Sequence, residues 1–178
     1  MNNKIVKLAL ILFAVSAAVA LCLGLVNGIT AERIKAIAHE KLAAAMNAVL
    51  PADDYQPVDY TGGDVLVDSI YKAGDKGYVV QCTVSGSQGS ITMLTGVAAD
   101  GTVTGISVLE SGETPGLGAI AASSSEKGET WRAQFPGISS AAVTKDGGQI
   151  QAISGATITS RAICTGVTAA QNAVKTVG

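Results

Sequence analysis

SITMLTGVAADGTVTGISVLE, Ser90 to Glu110, contains two runs rich in Val, Ile and Thr, separated by Ala99-Asp100-Gly101. Such residues favour a pleated, half-buried surface, and an Asp-Gly pair between two such runs is a hairpin signal. The segment therefore reads as two antiparallel strands, 90–98 and 102–110. Immediately upstream, YVVQCTV at 78–84 has the same character and is joined to Ser90 by the polar turn SGSQG at 85–89. Three strands in succession with short turns predict an antiparallel meander.

Downstream, SGETPGLGA at 111–119 packs three glycines and a proline into nine residues, so it reads as a shaped loop. A short helix is expected around Glu129–Gln134, where Trp131 and Phe135 stand four apart. AAVTK (141–145) and IQAIS (150–154) read as two further strands. The last element is a helix from Thr159 to about Thr176, with Ile163, Val167, Ala170 and Val174 on one stripe. It follows SGATITS at 154–160, where Gly155 frees the backbone and Thr159 or Ser160 is a suitable N-cap. The amides and dipole of such a helix start favour a phosphate, and Thr157 brings a hydroxyl to the same corner.

Upstream of the meander, residues 53–64 (DDYQPVDYTGGD) read as a loop. Before it, Ile34, Ile37, Ala38, Leu42, Ala45, Met46, Val49 and Leu50 recur at helical spacing, with charged residues between them, until Pro51. This is an amphipathic stalk helix. Further upstream, Leu8 to Val26 is nineteen residues without a charge, enough to cross a bilayer as a helix. Lys4 and Lys7 precede it, which places the N-terminus in the cytoplasm and the remainder outside. A cleaved signal peptide is the competing reading, but the small-residue triplet Ala18-Val19-Ala20 falls inside the apolar run, and the run exceeds the usual length of a signal core. A retained anchor is the reading adopted. Leu21 stands where a lipoprotein signal would have a small residue before Cys22.

The chain has 178 residues and a formal net charge of -2. Its three cysteines, at 22, 82 and 164, have no CxxC spacing, and His39 is the single histidine, so neither a disulfide framework nor a metal centre is expected. No Gly-Lys-Ser/Thr follows the glycines of 112–118 and no GxGxxG is present, which excludes the common nucleotide loops. Cys82 and Cys164 are expected to be buried small hydrophobes. The fold class is α+β: an N-terminal transmembrane helix, a stalk helix, and an antiparallel-sheet domain with a C-terminal helix.

Taken singly, Ser154, Thr157, Thr159 and Ser160 are ordinary capping residues, and GETPGLG is an ordinary turn. Together, SGAT with ITS, GETPGLG some forty residues earlier and GVAADGTVTGISVLE before that resemble the FMN-binding domain of the G subunit of Rnf-type electron transport complexes. The related C subunit of the sodium-translocating NADH:quinone oxidoreductase shares this domain. The resemblance extends over most of the chain. It implies a membrane-anchored electron-transfer subunit of an ion-translocating ferredoxin:NAD oxidoreductase, with FMN carried as a phosphoester on Thr157. A separate flavin transferase makes the attachment from FAD, so no catalytic residue is expected in this chain. The resemblance also implies flavin contacts from Glu113, Thr114, Gly116, Leu117 and Gly118, and from Ser154, Gly155, Ala156, Ile158, Thr159 and Ser160. Trp131 reads either as a flavin neighbour or as core, and its spacing to Phe135 favours core.

In this family an Asp often stands three residues before the motif's Ser; here that residue is Gln151. The implied partners are other integral membrane and redox subunits and the transferase, with no nucleic acid. The implied segments are 1–27, cytoplasmic N-terminus and membrane helix; 28–51, stalk; and 52–178, extracytoplasmic FMN-binding domain. The alternatives are the C subunit of the quinone reductase, a stand-alone extracytoplasmic flavoprotein, and a non-redox binding module in which SGATITS only caps a helix.

Overall fold

Residues 3–177 are described by a computed structural model. The first element, α1, runs Asn3–Val49 as one continuous helix. The separate membrane and stalk helices read from sequence are therefore a single element, because Gly24 and Gly28 weaken a helix without ending it and the first proline is Pro51. From Lys4 onward α1 is long and apolar enough to cross a membrane. The chain divides into two compact units between Lys41 and Leu42. In the first, Leu8, Phe13 and Leu21 are exposed, as are Ile34 and Ile37 of the amphipathic stripe. Only the last part of that stripe, Met46, Val49 and Leu50, is buried.

The second unit is built on a five-stranded antiparallel meander in the order β1 to β5. Its strands are β1 Gln56–Val58, β2 Val67–Lys72, β3 Gly77–Ser85, β4 Ser90–Ala98 and β5 Val103–Ser111. The three strands expected from sequence are present within a residue at each end. β3 and β4 pair without interruption from Gly77↔Ala98 to Ser85↔Ser90. At the β4–β5 turn, Gly101 has φ of 86°, and Asp100 Oδ1 accepts from the Thr102 amide (2.9 Å) and hydroxyl (2.6 Å).

Sequence reading missed β1 and β2. β1 lies inside the segment read as a loop, and in β2 (VDSIYK) only Ile70 is fully buried, so its alternation is faint. The strands expected at AAVTK and IQAIS do not form. Val143 and Ile150 make one isolated parallel bridge, and a 3-10 turn at Thr144–Asp146 ends at Gly147 with φ of 83°. Burial of Val143 and Ile150 produced the strand-like pattern, but the Gly147-Gly148 turn leaves too few residues to extend a ladder.

Helix α2 spans Glu126–Arg132, three residues earlier than expected, because Ser125 caps it by accepting from the Gly128 amide at 3.3 Å. Helix α3 spans Thr157–Val177 and lays Ile163, Val167, Ala170 and Val174 against one face of the sheet. There they meet Val80, Cys82, Val84, Ile91 and Met93. Gly166 marks the closest approach: a Cβ there would lie 3.0 Å from both Met93 Sδ and Val84 Cγ1. The opposite face packs Val79 and Leu94 against Met46, Val49 and Leu50, and the Thr104 hydroxyl donates to the Val49 carbonyl at 2.5 Å.

Burial pushes the Cys82 thiol up to about 12, with help from the Asp68 and Asp64 carboxylates, and burial likewise pushes Cys164 up to about 11. A thiolate is the reactive form. A maleimide probe is therefore expected to leave Cys82 and Cys164 unlabelled in the folded protein at pH 7 and to label both once it is unfolded. Peptide mapping before and after denaturant reads this directly, and rapid labelling of either in the folded state contradicts it.

Candidate functional site

Antiparallel pairing brings the β3–β4 turn and the end of β5 to the same edge of the sheet, since Ser85 pairs with Ser90 and Ile91 with Ser111. The glycine loop leaves β5 at that edge, and the start of α3 packs beside it. The three segments enclose a cleft of about 460 Å³, within the size range of small-molecule sites. Its lining includes Glu113, Thr114, Leu117 and Gly118 from the loop and Gly155 to Thr159 from the α3 junction. Gly116, Ser154, Ser160 and Trp131, also singled out in the sequence, are not among the lining residues.

The junction is a tight turn. The Ala156 amide donates to the Ile153 carbonyl at 2.9 Å, with Gly155 at φ of 77° in the position that requires left-handed backbone. Ser160 holds this turn from within the helix: its hydroxyl donates to the Ala156 carbonyl (2.9 Å) and accepts from the Ile153 amide (3.0 Å). Upstream, Trp131 Nε1 donates to the Gln151 carbonyl at 2.8 Å, and the Gln151 amide donates to Gln134 Oε1 at 2.7 Å. Trp131 is buried edge-on against Phe135 with centroids 5.1 Å apart, so it serves the core and steadies the backbone leading into SGAT.

Helix α3 begins at Thr157 rather than at Thr159 or Ser160, and this changes what its hydroxyls do. Neither Thr159 nor Ser160 is the N-cap; Ala156 occupies that position, and its carbonyl accepts from the Ser160 amide at 3.0 Å. Among the described residues, no side chain accepts from the amides of Thr157, Ile158 or Thr159. Thr159 donates to Glu113 Oε2 at 2.7 Å, and Ser160 is committed to the turn. Of the three hydroxyls in the first turn, Thr157's is the one with no hydrogen bond among the described residues, and Thr157 lines the cleft half-buried. Ile158 and Leu117 flank it with exposed apolar side chains, and Leu117 Cδ2 lies 3.1 Å from where a Cβ on Gly155 would stand.

Sequence reasoning did not find Ser87 and Gln88, which form the third wall. The strand register carried the signal, because the β3–β4 turn must lie beside the residues that follow β5. Both amides donate to Glu113 Oε1, at 2.6 and 3.0 Å. The Glu113 carboxylate is thus buried with both oxygens engaged by the chain itself.

Burial is the largest influence on that carboxyl and pushes its pKa up, but the bonds from the Gln88 amide, the Thr159 hydroxyl and the Ser87 amide together outweigh it. The net pKa lies below the ordinary value. A folded-state pKa below the unfolded one stabilises the fold above the ordinary Glu value, and that contribution is lost as pH falls through the folded value. Thermal unfolding from about pH 6 down to about pH 3 is therefore expected to fall more steeply for the wild type than for Glu113→Gln. Parallel curves contradict the assignment.

The FMN-binding domain family matches residues 86–172, which take in every wall of this cleft. The chain is 38% identical to the G subunit of the Na(+)-translocating ferredoxin:NAD(+) oxidoreductase complex of Acetobacterium woodii, over 90% of this chain and 87% of that protein. It is 36% identical to the G subunit of the ion-translocating oxidoreductase complex of Methanosarcina acetivorans, over 91% and 90%. The G subunit of the proton-translocating ferredoxin:NAD(+) oxidoreductase complex of Clostridium ljungdahlii is 37% identical over 56% of this chain and 54% of its own. This chain belongs to the family of G subunits of ion-translocating oxidoreductase complexes.

As a member of the G-subunit family it contains an FMN-binding domain, and the cleft fits that group. Three helix-start amides without a side-chain acceptor suit a phosphate, an unengaged hydroxyl stands among them, and the apolar Leu117 and Ile158 flank a space open to a planar ring. Asp146, the acid nearest in sequence before Gln151, is engaged elsewhere. It forms a bidentate ion pair with Arg161 of α3 at 2.6 and 2.7 Å, while the Gln151 side chain is exposed.

Proposed function

We propose that this protein holds FMN as a phosphoester on Thr157 and relays electrons between redox centres of an ion-translocating oxidoreductase complex. The observation that carries the reading is the Thr157 hydroxyl at the first residue of α3, which has no hydrogen bond among the described residues and stands beside amides that no described side chain caps. When bound, FMN supplies reversible uptake and release of electrons. Thr157 contributes the ester oxygen, and the start of α3 stabilises the charge left on the phosphate. Leu117 and Ile158 offer apolar contact to the ring, and Gly116 and Gly118 let the loop backbone approach closely. In the attachment step, Thr157 Oγ1 forms a bond to phosphorus while the diphosphate bond of FAD breaks; AMP leaves and the hydroxyl proton passes to solvent. A separate transferase performs it, so the chain supplies an acceptor and not a catalyst.

In the same reading α1 anchors the protein in the membrane, with Lys4 and Lys7 holding the N-terminus in the cytoplasm. Residues 1–27 then comprise the cytoplasmic end and membrane span, 28–51 the stalk, and 52–178 the extracytoplasmic domain. The other membrane and redox subunits of the complex are the partners. Intact mass and peptide mapping of the chain from its native membrane test this. One FMN less one water on the peptide containing Thr157 is the expected result, and an unmodified Thr157 overturns it in favour of a binding module.

A further inference from the structure

Glu113 is the one carboxylate among the buried polar side chains of the chain's described residues, and its partners come from two other walls of the cleft. Oε1 accepts from the Ser87 and Gln88 amides of the β3–β4 turn; Oε2 accepts from Thr159 in the first turn of α3. Both neighbours leave room for it. A Cβ on Gly86 would overlap Oε1, and a Cβ on Gly118 would overlap Oε2. The side chain therefore reaches from the glycine loop to both other walls of the cleft in a slot kept open by two glycines.

We propose that Glu113 is a positioning residue, a latch that ties the β3–β4 turn to the first turn of α3 and so sets the separation of the walls that receive the flavin. The inference rests on the FMN reading above for what the walls hold, and on the hydrogen bonds for the latch itself. Its action runs through bonds that a neutral carboxamide can reproduce. In Glu113→Gln, Oε1 can accept both amides while the side-chain NH2 donates to the Thr159 hydroxyl. Glu113→Ala loses all three bonds.

The experiment uses the full chain, made with and without the flavin transferase, as wild type, Glu113→Ala, Glu113→Gln and Thr159→Val. In unflavinylated protein, exchange of the Ser87 and Gln88 amides is expected to be on the order of tenfold faster in Glu113→Ala and near wild type in Glu113→Gln. In flavinylated protein, Glu113→Ala is expected to lower flavin fluorescence anisotropy and weaken its visible circular dichroism, with Glu113→Gln retaining both. Thr159→Val keeps the turn bonds and releases the helix. It is expected to leave Ser87 and Gln88 protected while loosening the flavin, and it decides the matter if Glu113→Ala does not fold.

Loss of the flavin signature in both Glu113 variants overturns the latch, because charge and not bonding would then be the active property. Unchanged exchange in Glu113→Ala overturns it as well, as does faster exchange with an unaltered flavin signal. If the wild type takes up no FMN beside the transferase, the flavin reading fails while the exchange measurements still decide the latch.

Discussion

Thr157→Ala is expected to abolish covalent FMN while leaving the domain folded. The Thr157 hydroxyl makes no hydrogen bond among the described residues, and the residue is half-buried at the cleft, so its removal takes little from the fold. A change within about 0.5 kcal/mol is usual for such a position. Thr159 and Ser160, by contrast, are buried and bonded to Glu113 and to the Ile153–Ala156 turn, so they are not available as substitute acceptors. Intact mass should show the FMN-less-water increment in the wild type, none in Thr157→Ala, and retention in Thr157→Ser, with unfolding temperatures close together. Full modification of Thr157→Ala, with the adduct mapped to another residue, would reject Thr157 as the acceptor.

Gly118→Ala is expected to be the most damaging methyl addition at the cleft. Its Cβ would overlap Glu113 Oε2 and come within 2.6 Å of Thr159 Oγ1. Glu113 cannot swing aside freely, because the Ser87 and Gln88 amides hold its other oxygen. Separating Glu113 from Thr159 leaves a buried carboxylate short of a donor, a loss of about 1–3 kcal/mol, and overpacking adds a similar amount. An unfolding temperature lower by on the order of 10 °C is expected, with a matching loss of flavin order. A shift of under about 1 °C would mean that the first turn of α3 yields without cost.

The meander and the last helix were legible in the sequence because each carries its own local signal. Val, Ile and Thr fill β3 to β5, Asp100-Gly101 marks the hairpin, and the spacing of Ile163, Val167, Ala170 and Val174 is helical whatever surrounds it. β1 and β2 were not legible, since one buried residue in VDSIYK gives no firm alternation and pairing alone makes those segments strands. Conversely, Val143 and Ile150 are apolar because they enter the core, and burial without ladder partners mimics a strand.

At the cleft the same division holds. Sequence alone determined the residue types: the small and hydroxyl-bearing SGATITS, the glycine loop, and through them the resemblance that named FMN. Tertiary structure decided which hydroxyl is free. The helix starts two residues earlier than capping preference predicted because Ser160 is drawn inward to the Ile153 amide and Thr159 to Glu113. Those bonds join residues brought together by strand register and helix packing, across 46 positions of chain in the case of Glu113 and Thr159. A local pattern can announce that a helix begins, but only the folded chain determines which donor meets which acceptor there.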